Sequence, residues 1–422
     1  MSENYLRRIS DDKLRILLSA MGAVLIEGPK WCGKTRSAEE VAGSVLYMQD
    51  PDTAKANKLI AQTKPSLLLD GETPRLLDEW QVAPELWNAV RFAVDKRRAK
   101  GQFILTGSVI PTRTDDMHTG TGRIARMKMR TMSLYESGDS TGEISLGALF
   151  DGNNIMEGHS GLTIEKLALV INRGGWPVVA QETDEKIALT VAADYVEAIA
   201  NEDISKADGI EKNPDRVKAL LRSISRNISS EARTSTILND LTANDESLSQ
   251  ATVDQYVAAL KKIFVIEDLP AWSAKLRSKT AIRTTAKRHF ADPSIAAASL
   301  RATPKRLLSD FNTFGFLFES LCIRDLRVYA ESIDGSVYHF RDKSGLEIDA
   351  VIQLADGRWG AAEVKMGAGE IEDAASNLLK LRKAIDTEKM KEPSFLMVIT
   401  GTEYAFQLKN GVVVVPIGCL RN

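Results

Sequence analysis

The sequence predicts an α/β protein whose N-terminal part is a parallel sheet carrying a phosphate-binding loop. Three observations predict this fold. Apolar runs alternate with helix-like stretches over residues 1–150, a glycine-rich stretch ending in Lys-Thr follows the first run, and two adjacent acids follow a later one. Alternation of this kind is typical of a parallel sheet covered by helices on both faces, and ligands then bind at the carboxyl ends of the strands.

The elements of this first part follow from local apolar periodicity. The apolar runs predict strands at residues 23–26, 45–48, 75–77 and 103–106. Helices are expected from about residue 34 and near residues 84–96.

The phosphate-binding loop is the most specific motif. It consists of Gly28, Pro29, Lys30, Trp31, Cys32, Gly33, Lys34 and Thr35. In such a loop the backbone N–H groups surround the phosphates, the lysine adds a positive charge, and the threonine hydroxyl coordinates Mg²⁺. We therefore expect all eight residues to contact a nucleotide. Trp31-Cys32 departs from the small or polar residues usual there, and we interpret Cys32 as a small packing residue.

Two further strand ends complete the expected site. Asp78 is assigned to the metal with Thr35, and Glu79 to the attacking water as the catalytic base. Thr106 and Ser108 lie at the carboxyl end of the next strand and are expected to contact the γ-phosphate or the attacking water, although a plain polar turn is the alternative. Because the chain has no Asn-Lys-x-Asp guanine-reading motif, ATP is the expected nucleotide.

Arginines after the fourth strand are candidates for a further phosphate contact. Arg123 is the assigned nucleotide-binding residue, and Arg126 and Arg130 are its alternatives. The contact could be made within one chain or to a neighbouring subunit, so a homo-oligomer stays open.

Composition limits the remaining classes. The chain has 422 residues, 44% hydrophobic and 27% charged, with a net charge of −2, which indicates a globular protein of two or three domains. That charge gives no global attraction to nucleic acid or membranes. Its three cysteines lie far apart, which excludes a disulfide framework and favours a reducing, cytoplasmic location. No apolar run near either end is long enough to span a membrane.

Residues 151–300 read as a helical segment ending in a winged helix-turn-helix. Helices are expected at 216–226, 229–241 and 253–263, followed by strands at 264–266 and 288–291. A break at 174–177 predicts a packed turn. The loop between the two strands is basic and is the expected nucleic-acid contact, through Lys275, Arg277, Lys279, Arg283, Lys287 and Arg288. A solvated loop or a partner-docking lid is the alternative.

Residues 301–422 return to an α/β pattern. A helix at 314–329 precedes strands at 337–341, 346–354 and 359–366. Because side chains alternate along a strand, pairing of the last two brings Asp349, Glu363 and Lys365 together. Two carboxylates and a lysine suit Mg²⁺-assisted hydrolysis of a phosphodiester, while spacing alone favours a solvated strand face.

Taken together, these motifs resemble a group of bacterial and archaeal AAA-type ATPases that pair a P-loop domain with a C-terminal domain of unknown function. The resemblance rests on the loop at 28–35, Leu77-Asp78-Glu79-Trp80-Gln81, Leu105-Thr106-Gly107-Ser108, Gly175-Trp176-Pro177, His289-Phe290-Ala291-Asp292-Pro293-Ser294, Gly345-Leu346-Glu347-Ile348-Asp349 and Glu363-Val364-Lys365.

The resemblance implies that residues 301–422 have the PD-(D/E)XK restriction-endonuclease fold. It assigns Asp349, Glu363 and Lys365 to catalysis, the two acids to the metal, and Glu319 to the helix acid. Many members of that fold act as binding modules, so two classes stay open. One is an ATPase whose cycle controls a nuclease-like domain acting on or binding nucleic acid, with DNA preferred to RNA; the other is a regulatory ATPase with a docking domain.

Overall fold

A computed structural model describes residues 5–110, 119–152, 157–242, 248–273, 285–385 and 390–422. The chain forms two compact units, each built from separated stretches. The first comprises Met1–Thr131, Asp203–Glu211 and Ala258–Val265, and the second comprises Met132–Glu202, Lys212–Val257 and Ile266–Asn422. This division differs from the consecutive ranges 1–150, 151–300 and 301–422, which stay a prediction about domains.

The first unit contains a five-stranded sheet in the order β2-β3-β4-β1-β5, and every pairing in it is parallel. Its strands are β1 Ala23–Glu27, β2 Ser44–Tyr47, β3 Arg75–Asp78, β4 Phe103–Gly107 and β5 Ile124–Lys128. Helices α1 Ser10–Ala20, α2 Lys34–Glu39, α3 Ala54–Thr63 and α4 Glu85–Arg97 belong to the same unit. The parallel α/β sheet expected from the apolar alternation is confirmed.

Burial on both faces explains why β1 is continuously apolar. Leu25 packs in a cluster with Leu86 of α4, whereas Val24 and Ile26 pack in a second cluster with Leu14 of α1. Successive strand residues point to opposite faces, so helices on both sides require an uninterrupted apolar run.

The second unit contains a seven-stranded mixed sheet in the order β10-β11-β12-β13-β15-β14-β7. Its strands are β7 Gly158–His159, β10 Gly335–Arg341, β11 Glu347–Leu354, β12 Trp359–Lys365, β13 Leu396–Thr400, β14 Tyr404–Gln407 and β15 Val413–Pro416. The strands β10 to β12 pair antiparallel, and β12 pairs parallel with β13. The short strands β6 Ile144–Ser145 and β16 Leu420–Arg421 pair with each other.

Helices make up most of the remaining chain. They are α5 Leu146–Phe150, α6 Ile164–Arg173, α7 Glu185–Ala198, α8 Ile204–Lys206, α9 Pro214–Arg226, α10 Thr234–Thr242, α11 Gln250–Lys262, α12 Pro293–Leu300, α13 Pro304–Leu307, α14 Phe311–Ser332 and α15 Ile371–Ala384. Between α11 and α12, β8 Ile266–Leu269 pairs antiparallel with β9 Lys287–Phe290. The element order is therefore the expected three helices followed by two strands.

The break at 174–177 forms a packed turn held by a buried ion pair. Asp292 Oδ2 accepts from the Gly175 N–H at 2.9 Å and lies 3.0 Å from Arg324 Nη1. Trp176 Nε1 donates to Ser294 Oγ at 3.0 Å. Although burial alone raises the pKa of Asp292, the Arg324 guanidinium and the N–H groups of Gly175 and Ser294 hold that pKa below its ordinary value. Two motifs distant in the sequence therefore form one buried junction.

Among the described residues, no helix combines the length and apolar character needed to cross a membrane.

Candidate nucleotide site and C-terminal carboxylate cluster

The loop at residues 28–35 leaves the carboxyl end of β1 and enters α2. Lys34 is 5% exposed, and its Nζ donates to the carbonyl oxygens of Gly28 at 3.0 Å and Pro29 at 2.7 Å. A Cβ on Gly28 would lie 2.1 Å from the Met129 carbonyl oxygen, so the loop requires glycine there. Gly33 has φ = 100°, a backbone conformation that side chains disfavour.

Trp31 and Cys32 have different environments. Trp31 is 52% exposed and has φ = 62°, whereas Cys32 is fully buried with Sγ 3.6 Å from the Met129 carbonyl oxygen. This burial agrees with the interpretation of Cys32 as a packing residue. Lys30 Nζ lies 2.5 Å from Asp203 Oδ1, so the charge of this loop lysine is already paired.

Asp78 is the centre of the polar contacts beside the loop. Its Oδ1 accepts from Thr35 Oγ1 at 2.6 Å and from Thr106 Oγ1 at 2.7 Å. Three separate elements supply these groups, namely α2, β3 and β4. They meet because parallel strands place their carboxyl ends at one edge of the sheet.

Glu79 lies directly after β3 and is oriented by two polar side chains. Its Oε2 accepts from Ser108 Oγ at 3.2 Å and from Gln81 Nε2, and its own N–H donates to Thr106 Oγ1 at 3.1 Å. The residue has φ = 53°, in the left-handed region that is uncommon for a side chain larger than glycine. Asp78 and Glu79 therefore face Thr106 and Ser108 at the carboxyl ends of β3 and β4.

Arg8 is a functional candidate that sequence reasoning missed. It is 4% exposed, and its guanidinium donates to the Cys32 carbonyl oxygen at 2.7 Å and the Arg130 carbonyl oxygen at 2.9 Å. It thus joins the phosphate-binding loop to the chain that follows β5. A single arginine before a helix has no motif around it, so no local signal could have identified it.

Within one chain, the structure does not place Arg123 at the phosphate-binding loop. Arg123 precedes β5, and the register Ala23↔Ile124 puts it at the amino edge of the sheet, about 16 Å of strand away from the loop. Its Nε lies 2.8 Å from Asp95 Oδ1. Because β5 pairs parallel with β1, only residues after β5 reach the carboxyl edge, where the loop lies. Within one chain Arg130, rather than Arg123, lies at that edge, while Arg126 is paired with Glu27 at 2.7 Å.

The C-terminal acids form a largely buried cluster on α14, β11 and β12. The register of β11 with β12 places Asp349 across from Glu363, one residue beyond the Ala350↔Ala362 pair. Lys365 Nζ lies 3.1 Å from Glu363 Oε2 and 3.6 Å from Asp349 Oδ2. The structure therefore brings Asp349, Glu363 and Lys365 together as predicted, with Glu319 of α14 in the same cluster.

A second lysine, which the sequence assigned to the basic wing, completes this cluster. Lys287, at the start of β9, is 7% exposed, and its Nζ lies 3.0 Å from Glu319 Oε1 and 3.4 Å from Asp349 Oδ1. A wing lysine was expected to lie along phosphates. Lys287 instead turns inward because two buried carboxylates face it.

The charges of the cluster set its protonation. Burial, with the Asp349 charge, raises the pKa of Glu319 to about 8 and also raises the pKa of Glu363. Burial opposes ionisation of Asp349 too, but Lys287 and Lys365 hold its pKa below its ordinary value. Asp349 is therefore the carboxylate that ionises first.

The donor set of the cluster does not fit a divalent metal as folded. Glu319 and Asp349 supply the oxygens that Mg²⁺ prefers, but the Lys287 ammonium already contacts both. Among the described residues, no group of three or more His, Cys, Asp or Glu side chains is placed to hold a metal ion.

The expected nucleic-acid contacts Lys275, Arg277, Lys279 and Arg283 lie outside the described residues and stay a prediction.

Three family models match the chain. Residues 21–137 match an AAA domain, residues 164–306 match a domain of unknown function (DUF8612), and residues 314–420 match a domain of unknown function (DUF4143). The first match bears out the expectation of an AAA-type P-loop ATPase domain.

Solved structures include the Walker-type ATPase PABY2304 of Pyrococcus abyssi, which matches with 13% identity and a TM-score of 0.42. The match covers 69% of this chain and 94% of that one. No curated protein matches the chain.

Proposed function

We propose that the N-terminal unit binds ATP with Mg²⁺ and hydrolyses it. The observation that carries this proposal is the position of Asp78, whose Oδ1 is shared by the hydroxyls of Thr35 and Thr106. Residues 28–35 enclose the phosphates and Lys34 adds positive charge. Glu79, oriented by Ser108, positions the attacking water.

The residues beside the loop fit Mg²⁺. A hydroxyl and a carboxylate oxygen, 2.6 Å apart, are hard donors, and Mg²⁺ in nucleotide sites usually takes one or two protein ligands. When bound, the ion neutralises charge on the phosphate oxygens. Thr35 and Asp78 would hold it, with water and phosphate oxygens completing the coordination.

ATP turnover by purified variants tests this proposal. Lys34→Ala should abolish ATP binding, because it removes the ammonium buried inside the loop. Lys96→Ala, an exposed lysine in the last turn of α4, is the matched control and should bind as wild type does. Unchanged ATP affinity in Lys34→Ala would refute the assignment of the loop.

We further propose that the C-terminal part is a PD-(D/E)XK nuclease-like module that engages nucleic acid. The order α14, β10 to β12, α15 and β13, with acids on the helix and on two paired strands, supports this fold. Since Lys287 occupies the acidic cluster, we propose that the folded module grips nucleic acid rather than cleaving it. DNA is the preferred partner. Gel analysis of DNA incubated with the protein in Mg²⁺ tests the proposal. Cleavage by the wild type that is lost in Asp349→Ala would refute binding without cleavage.

A basic cavity in the second unit supports nucleic-acid contact. The cavity has a volume of about 1020 Å³ and lies along one face of α9. Three acids and six basic residues line it. The basic residues are Arg216, Lys218, Arg222, Arg226, Arg301 and Arg306. Lys218, Arg222 and Arg226 follow at intervals of four residues, which spaces them about 6 Å apart along the helix.

Charge and lining together favour a sugar-phosphate backbone as the ligand of this cavity. Lys218 is paired with Glu197 and Arg226 with Asp240, which leaves net positive charge. No aromatic side chain is among the described residues lining the cavity, so it offers phosphate contacts without base stacking. The helix α9 is the first of the three helices, α9, α10 and α11, that correspond to the winged-helix-like segment that we propose here.

Fluorescence anisotropy with labelled DNA at several salt concentrations tests the cavity. Loss of one phosphate contact lowers the salt slope of binding by about one unit, so Arg222→Ala should show this change. Lys409→Ala, an exposed lysine of the same unit, is the control. If both variants keep the wild-type slope, the cavity does not hold the strand.

The second candidate function is a nucleotide-dependent regulator whose C-terminal module only docks a partner. The buried Lys287 favours it, because an acidic cluster neutralised by lysines has no open position for a catalytic metal. ATP turnover that does not respond to single- or double-stranded DNA or to RNA would support this candidate over the first.

A further inference from the structure

Asp349 lies between two ammonium groups. Lys287 Nζ approaches its Oδ1 at 3.4 Å, Lys365 Nζ approaches its Oδ2 at 3.6 Å, and the Val364 N–H donates to Oδ2 at 2.9 Å. Both oxygens of this buried carboxylate therefore face positive charge or a donor.

The whole cluster combines three carboxylates with two ammonium groups. Glu319 pairs with Lys287 at 3.0 Å, and Glu363 pairs with Lys365 at 3.1 Å. Buried charges persist in proteins when they are paired and hydrogen-bonded, so the two lysines supply what a bound cation otherwise supplies to such a cluster.

A metal ion has open access to this cluster. A cavity of about 460 Å³ reaches Asp349, Glu363 and Lys365, and another of about 570 Å³ reaches Glu319 and Lys365. A cation entering either cavity meets carboxylates already contacted by lysine. Repulsion from the ammonium groups, rather than a steric barrier, opposes its binding.

We propose that Lys287 determines the metal affinity of this cluster, an inference that rests on the proposed nuclease-like module. Its ammonium contacts the same Glu319 and Asp349 oxygens that a divalent cation would take, and the two cations exclude each other. Lys287 is therefore an internal counter-ion, and a divalent ion binds well only when its ammonium is withdrawn or removed.

The backbone around Lys287 favours the inward position. Leu269 pairs with Lys287 in the β8–β9 ladder, and the backbone of the next residue, Arg288, bonds to Ser229 and Ser230 on its other side. The backbone carbonyl oxygen of Thr285, two residues earlier, lies 3.1 Å from His339 Nε2. The strand is held from both directions, so withdrawal of the ammonium requires a change of side-chain rotamer or movement of β9.

Mn²⁺ binding to the full chain without nucleotide, followed by electron paramagnetic resonance, tests the proposal. Lys287→Met keeps an apolar stem of similar length but removes the ammonium, and it should bind Mn²⁺ about tenfold more tightly or better. Lys343→Met, an exposed lysine in the turn before β11, is the control and should bind as wild type.

Asp349→Asn locates the effect. It should change the isotherm little in the wild-type background and should abolish the binding gained by Lys287→Met. Tight wild-type binding that Asp349→Asn removes would overturn the proposal, and so would a folded Lys287→Met that gains nothing.

If Lys287→Met does not fold, Lys287→Arg provides a second test. It keeps the charge and should fold with affinity no better than wild type; a gain in this variant would also overturn the proposal. DNA anisotropy on the same proteins separates the nucleic-acid function from the role of Lys287 in metal affinity. If the proteins do not bind DNA but their metal affinities change as expected, only the nucleic-acid function is contradicted.

Discussion

Replacing Arg8 by methionine should loosen the phosphate-binding loop. The guanidinium donates a buried hydrogen bond to the Cys32 carbonyl oxygen at 2.7 Å and a partly buried one to the Arg130 carbonyl oxygen at 2.9 Å. Methionine preserves much of the volume but leaves both carbonyl groups without these donors.

The cost follows from the charge and burial of these bonds. A hydrogen bond to a charged group contributes about 1.5–3 kcal/mol, so the loss of two costs about 3 kcal/mol at the lower end. Since about 1.4 kcal/mol corresponds to a factor of ten, local opening of the loop should rise by about two orders of magnitude. ATP affinity should fall with it, because the loop is less often in its binding geometry.

Hydrogen exchange of the peptide covering residues 28–35 measures the opening, and ATP titration measures the binding. Arg7→Met is the matched control: Arg7 is 73% exposed and pairs only on the surface with Asp12, which contributes less than about 1 kcal/mol. Equal exchange and equal ATP affinity in the two variants would show that Arg8 does not position the loop.

Three other substitutions test the site and the packing. Glu79→Gln should retain ATP binding but lower turnover by about 10²-fold or more, because the amide does not accept the water proton; normal turnover, measured beside the exposed control Glu85→Gln, would contradict the role of Glu79. Gly28→Ala should lose ATP binding, since its Cβ would lie 2.1 Å from a carbonyl oxygen, and wild-type affinity in a titration would show that the loop adapts. Arg324→Met should destabilise the second unit by about 3–5 kcal/mol, because it removes the guanidinium that forms ion pairs with the buried Asp292 and Asp325; an unchanged thermal midpoint would rule out a structural role for these ion pairs.

Much of the nucleotide site was predictable because each part has a local signature. Glycines and Lys-Thr after an apolar run identify the loop, and acids or hydroxyls after later runs identify the other strand ends. The parallel-strand rule then predicts that Asp78 and Thr106 meet, and they do at 2.7 Å. The same rule, applied to the register of β5, places Arg123 at the amino edge of the sheet, away from the loop. The sequence did not predict that register.

The carboxylate cluster was predictable only in part. Strand alternation and the hairpin register bring Asp349 to Glu363, because both depend on residues close in sequence. Lys287 was read as a surface lysine, since a basic stretch without acids usually faces solvent. Its partners Glu319 and Asp349 lie 32 and 62 residues further along the chain.

The sequence by itself determined the parallel α/β core, the phosphate-binding loop and the acids that follow its strands, because these depend on short-range periodicity and backbone geometry. Tertiary structure alone decided that Arg8 joins the loop to the chain after β5 and that Lys287 neutralises the C-terminal acids. Such contacts arise when distant elements pack, and a buried charge takes whichever opposite charge the packing brings within reach. No local pattern encodes that choice.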